Sequence, residues 1–220
     1  AEVGIHLMCC GSRYPKNDTA LIMEKVTLDL GAYVRHAKEE LGYENVVLLG
    51  WSGGGSLSLF YQAEAEDPTI TNTPAGDPVD LTAADLVPAD AVIFIAAHAS
   101  RALTLTEWMD ASVRDEINPE DRDPELDIYN PNNPNHPPFN SKFLLRYRNE
   151  QIGRNRKITT WVKEVLTELK RRDDGEVERG FVVHRTMADP RWIDPAVDPN
   201  ERKPNWCYLG NPRAVNNGPA

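Results

Sequence analysis

The sequence predicts an α/β protein: a mainly parallel sheet flanked by helices, with a helical and then irregular insertion after it. Three observations carry this. The apolar run Val46 to Leu49 leads into a turn with four glycines, and Leu57, Leu59, Phe60 and Tyr61 then line one side of a helix. Residues 89–97 are apolar almost throughout, as a strand buried on both faces should be. Between residues 5–10, which read as an interior strand, and the Val46 run lies a helical stripe, so strand, helix and strand alternate with a crossover long enough for parallel pairing.

Taken in order, residues 5–10 (Ile5 to Cys10) form the first expected strand, and a polar loop rich in turn residues follows to Asp18. A helix is expected over 19–41, because Ile22, Val26, Leu30, Tyr33, Val34, Ala37 and Leu41 recur at three- and four-residue spacings. Gly42 is placed to stop it. The strand at 46–49 and a helix over about 54–65 come next. A polar loop with Pro68, Pro74, Gly76 and Pro78 extends to Pro88, ahead of the strand at 89–97.

The second half changes character. Thr104-Leu105-Thr106-Glu107 fits a capping box, which predicts a helix starting near Leu105. Residues 110–127 are strongly acidic, and 129–140 are too crowded with Asn and Pro for regular structure. Two helices are expected at 141–151 and 157–172, the latter on the stripe Ile158, Trp161, Val162, Val165, Leu166 and Leu169, ended by Asp173-Asp174-Gly175. Residues 180–185 read as a short strand, and 187–220 have almost no periodicity. The division expected is a sheet-bearing core over 1–100 and a cap or lid region over 101–220.

The formal net charge of −10 argues against general nucleic-acid or anionic-membrane binding, both of which need a basic surface. No apolar run approaches a membrane span of ~20 residues. Adjacent Cys9 and Cys10 in a strand would face opposite ways and suit neither a disulfide nor a C-x-x-C pair, and Cys207 stands alone. Buried structural thiols and a reducing, cytoplasmic compartment are the expectation.

Gly50-Trp51-Ser52-Gly53-Gly54 fits G-x-S-x-G, the nucleophile elbow. Its turn is so tight that a Cβ two residues before or after the serine would meet neighbouring backbone. The serine is held in a strained conformation that lifts its hydroxyl above the sheet. In this strand–turn–helix setting the chain resembles the α/β-hydrolase fold superfamily, well over residues 1–100 and poorly beyond. The resemblance implies a serine hydrolase of esterase type acting on an ester or other acyl bond of a small molecule. Ser52 would be the nucleophile, the Gly53 N–H an oxyanion donor, and no cofactor or metal is implied. The region from about Arg101 onward would be a cap over the elbow. Trp51 would either line an acyl pocket or pack.

The rest of a catalytic triad is harder to find. In this superfamily the order is Ser, then Asp or Glu, then His. His6 and His36 precede the serine and read as structural; His98, His136 and His184 each fit the base poorly. Asp189, after the 180–185 strand, is the candidate acid, but no histidine follows it. The expectation is a partial chain, with an oxyanion loop ahead of Ala1 and the acid and base beyond Ala220, and with little turnover of its own. The rival is a degenerate hydrolase.

Two other function classes stay open. A non-catalytic hydrolase-fold protein would use the pocket for binding. A dinucleotide-binding oxidoreductase would cradle a pyrophosphate on Gly50, Gly53 and Gly55, but the acidic residue that reading wants would fall in the 68–80 loop. Asp121, Asp123, Glu125 and Asp127 are dense enough to suggest a cation, yet lack EF-hand spacing, and a solvated acidic face is the simpler reading.

Overall fold

A computed structural model of the protein describes residues 4–15, 21–98, 100–172, 174–175, 179–194 and 196–197. Cys207, the loop end at 16–20 and the tail at 198–220 lie outside the described residues. The chain divides into two compact units, Ala1–Arg101 and Ala102–Ala220. The content is mixed α/β, with one two-stranded parallel sheet among the described residues. No helix among them is long and apolar enough to cross a membrane.

The first unit is built from α1 (Met23–Arg35), β1 (Val47–Trp51), α2 (Gly53–Glu66) and β2 (Ala91–Ile95). The α1 stripe buries Val26 and Val34, while Glu24 in the first turn and Arg35 in the last complement the helix dipole. The helix widens into a π turn at His36–Glu40 and stops where Gly42 takes a φ of 71°, the left-handed conformation glycine adopts without penalty. β1 and β2 pair in register from Val47↔Ala91 to Trp51↔Ile95. Val34, Leu48, Tyr61 and Ala89 form the core beneath α1 and α2. Tyr61 is fully buried and donates its hydroxyl to the Val87 carbonyl at 2.6 Å. Burial pushes its phenol up to about 12, against the smaller opposing effects of Arg35 and that hydrogen bond. Gln62 clamps the entry to β2 by donating to the Ala89 carbonyl and accepting from its N–H, both at 3.0 Å.

Two expectations fail here for one reason. Residues 5–10 are not a strand: among the described residues they have no ladder partner, and they are exposed, with Leu7 at 81% and the Cys9 and Cys10 thiols free and exposed rather than buried. β2 is likewise exposed along most of its length instead of buried on both faces. An apolar run becomes an interior strand only when neighbours cover its edges and faces, and this sheet has two strands. In β1, Leu48 and Gly50 are buried while Val47, Leu49 and Trp51 alternate onto an open face.

α3 (Arg101–Trp108) starts at the last residue of the first unit and runs into the second, which also holds α4 (Ser141–Arg172). α3 begins earlier than the capping-box reading places it, so Thr104 sits inside the helix. The two helices expected at 141–151 and 157–172 are one. Gly153 costs a helix about 1 kcal/mol relative to Ala, too little to break one whose buried face runs through Phe143, Tyr147, Gln151, Arg154 and Ile158. Phe143, stacked on Phe139 with centroids 4.8 Å apart, joins Tyr147, Leu126 and Ile128 in the core.

The polar residues on that buried helix face bind backbone. Gln151 donates to the carbonyls of Glu107 (2.6 Å) and Met109 (2.7 Å), and Arg154 to those of Asp110 (2.9 Å) and His184 (2.6 Å). The Asp- and Asn-rich segment folds through repeated side-chain turns. Asp110, Asp115, Asp123, Asp127, Asn130 and Asn133 each accept from the N–H two residues on. The acidic run is answered by arginines, with Arg146 bridging Asp123 at 2.9 Å and Glu125 at 2.7 Å, and Arg122 reaching Asp127 at 3.4 Å. Residues 180–185 are not a strand either: among the described residues they have no ladder partner, and the His184 carbonyl is taken by Arg154 instead.

Candidate active site

Ser52 lies where β1 ends and α2 begins. Its N–H donates to the Ile95 carbonyl at 3.1 Å, and its own carbonyl accepts from His98 N–H at 2.9 Å and Gly55 N–H at 3.1 Å. Three backbone bonds thus clamp the residue, two to the chain at the end of β2 and one to the first turn of α2. They hold it at φ 52°, ψ −120°, a conformation that costs a non-glycine residue roughly 1–3 kcal/mol. Across the turn Ala96 also has a positive φ of 45°. Both strained residues therefore sit at the carboxyl ends of parallel strands, the edge where open α/β sheets place their ligands.

The glycines explain how so sharp a turn closes. A Cβ on Gly50 would come within 2.6 Å of the Gly55 Cα and 2.7 Å of the Gly54 carbonyl oxygen. One on Gly55 would meet the Ala97 Cβ at 2.3 Å. Gly54 differs from the expectation, since a Cβ there would meet nothing within 4 Å. The close approach after the serine is three residues on, at the first turn of α2 where it crosses the end of β2.

The Ser52 hydroxyl has no hydrogen-bond partner among the described residues, and the N–H of Gly53, first residue of α2, is likewise unclaimed. A helix N-terminus presents such donors together with the positive end of the helix dipole. Arg101 adds a cation there: its Nη1 lies 3.0 Å from where a Gly53 Cβ would be. Sequence reasoning passed over Arg101. The signal for it is the parallel pairing itself, which brings whatever follows β2 to the end of β1.

The predicted histidines of the first unit put no side chain in hydrogen-bond contact with Ser52 among the described residues. His98 reaches Ser52 through its backbone. His6 pairs with the Tyr43 hydroxyl, and His36 and His136 are exposed. Asp189 is fully buried in the second unit, where it pairs with Arg148 at 2.8 Å and with Arg191 and caps the 3-10 turn Pro190–Trp192. A carboxylate held by two guanidinium groups in this way is a structural anchor. Trp51 is 70% exposed on the β1 face opposite Leu48 and Gly50, so it is not packed into the core. Within α2, Ser56 has a buried hydroxyl with no partner among the described residues. Its usual acceptor, the carbonyl four residues back, is that of Ser52, which already accepts two bonds.

Among the described residues no group of three or more His, Cys, Asp or Glu side chains could hold a metal ion. Comparison with protein-family models, curated proteins and solved structures finds no match for this chain.

Proposed function

We propose that the first unit is the nucleophile-bearing part of a serine hydrolase with an α/β-hydrolase core, acting on an ester or other acyl bond of a small molecule. The observation that carries this is the Ser52 backbone at φ 52°, ψ −120°, locked between two glycines that tolerate no Cβ. Strain of this kind persists only where the surrounding structure imposes it, and here the strained residue carries a hydroxyl with no hydrogen-bond partner among the described residues. In this reading the Ser52 Oγ attacks the acyl carbon and loses its proton to a base. The carbonyl oxygen gains negative charge beside the Gly53 N–H, and the leaving group departs from the resulting acyl-enzyme. The Arg101 guanidinium adds favourable charge on the same side. No base contacts Ser52 among the described residues, so turnover by this chain is expected to be slow. The free thiols of Cys9 and Cys10 suit a reducing compartment, and a cytoplasmic location belongs to the same proposal.

A fluorophosphonate probe tests the reading. Slow labelling confined to Ser52, absent in Ser52→Ala and accelerated by millimolar imidazole as a surrogate base, is the expected result. Labelling at Ser52 no faster than at the other serines of the folded chain, with or without imidazole, would leave only a non-catalytic binding role.

A further inference from the structure

We propose that the second unit carries a binding site of its own for a small aromatic anion. Its place is a cavity of about 470 Å³ between the middle of α4, the 111–117 loop and the extended segment 181–184. That volume is within the ~300–1,000 Å³ usual for small-molecule sites. The walls are apolar and open to solvent. Trp161 stands edge-on to Phe181, with ring centroids 5.2 Å apart and planes at 77°. Val182 and Ile117 continue the lining and are 56% and 93% exposed. Four large apolar side chains left in water around one concavity form a surface that gains by being covered.

The charges on the lining select the ligand's polar end. Arg154 is committed to Glu116 at 2.6 Å and to two backbone carbonyls. Arg114 bridges Asp121 at 3.5 Å and Asp123 at 3.9 Å. Asp115 caps the Ile117 N–H, and Glu150 lies in the field of Arg146. Lys157 alone among the cations has no ion pair or hydrogen bond among the described residues. It precedes Trp161 by four residues on α4, so the two side chains are neighbours on one helix face. Glu150 stands eleven residues before Trp161, about 16 Å along the helix at ~1.5 Å per residue. The polar group next to the aromatic pair is therefore the cation. A flat apolar body against Trp161 and Phe181 with a carboxylate or sulfonate on Lys157 satisfies both features.

The site lies within the second unit and does not depend on the Ser52 reading. Two probes with the same ring system, differing in charge, test it: 1-anilinonaphthalene-8-sulfonate and the uncharged N-phenyl-1-naphthylamine, each titrated into the full chain. The expected result is one saturable site per chain, at least tenfold tighter for the sulfonate. Trp161→Ala should weaken both probes tenfold or more, and Lys157→Glu should abolish the preference for the sulfonate. Ile117→Asp should weaken binding as well, and since Ile117 is almost wholly exposed it should leave the melting temperature unchanged. Ser52→Ala should bind as the wild type does. Equal affinity for the two probes, unsaturable uptake, or wild-type binding by Trp161→Ala and Lys157→Glu would overturn the proposal. So would a concentration-dependent dimer dispersed by Ile117→Asp, which would make a second copy the occupant.

Discussion

The two units stabilise themselves by different means. In the first, an apolar core under α1 and α2 is joined to a turn where backbone meets backbone, and most of the ion pairs lie at the surface. In the second, buried carboxylates stand at the centre: Asp110 and Asp189 are both fully buried, the one bridged to Arg185 at 2.6 Å and the other to Arg148 at 2.8 Å. A desolvated ion pair adds little when whole, yet breaking it strands a charge away from water. The second unit should therefore fail most severely when one charge is removed, and the first when one atom is added to its turn.

The sharpest break in this comparison is Arg185→Ala. It leaves Asp110 buried with only the Ser112 N–H and hydroxyl as partners, and should cost ~3–5 kcal/mol in urea unfolding. An equivalent loss from Arg35→Ala, whose pairs with Glu39 and Asp85 are exposed, would erase the distinction; that change should cost at most ~1 kcal/mol. Next in size is Gly50→Ala, which forces a Cβ into the Gly55 backbone and should destabilise by ~1–3 kcal/mol and reduce fluorophosphonate labelling of Ser52. Gly54→Ala is its control: with open space around the new methyl and a better helix former in α2, it should be neutral or slightly stabilising.

Glu64 sharpens the contrast by showing what a buried carboxylate does in the first unit. Burial pushes its carboxyl up, but the N–H groups of Ile70 and Thr69 and the Thr69 hydroxyl outweigh this and hold it below its ordinary 4.5. The folded state therefore gives up the proton more readily than the unfolded chain. Its contribution is present above pH 4.5 and is lost as pH falls through the lower folded value. Glu64→Gln should cost ~1–3 kcal/mol at neutral pH and flatten the acid limb of a stability–pH curve. The smallest effect should come from Ser56→Ala. Replacing an unpartnered buried hydroxyl by a methyl should leave the melting temperature unchanged or raise it slightly, by no more than ~1 kcal/mol of stability.

Much of the candidate site was legible because its constraint is local. The tight turn at Ser52 demands glycines within a few residues of it, and the apolar run before and helical pattern after it are equally short-range. Gly54 shows the limit: the motif spacing pointed to it, whereas the path of α2 across the end of β2 puts the crowding on Gly55. Arg101 and the His98 N–H were invisible for a related reason, since only the β1–β2 register carries them to the serine. Asp189 looked like a catalytic acid following a strand. It is an anchor because Arg148, forty-one residues earlier, reaches it.

By itself the sequence determined the order of β1, α2 and β2, the stripe of α1 and its stop at Gly42, the glycine turn that strains Ser52, and the irregularity of the Asn- and Pro-rich segment. Each follows from steric preference and periodicity over a few neighbouring residues. Only the tertiary structure decided that residues 5–10 lie exposed, that β2 has one strand neighbour among the described residues, that α4 runs unbroken through Gly153, and which arginine answers which buried acid. Strand pairing, burial and ion pairing join residues distant in the chain, and their free energy exists only once both partners are in place.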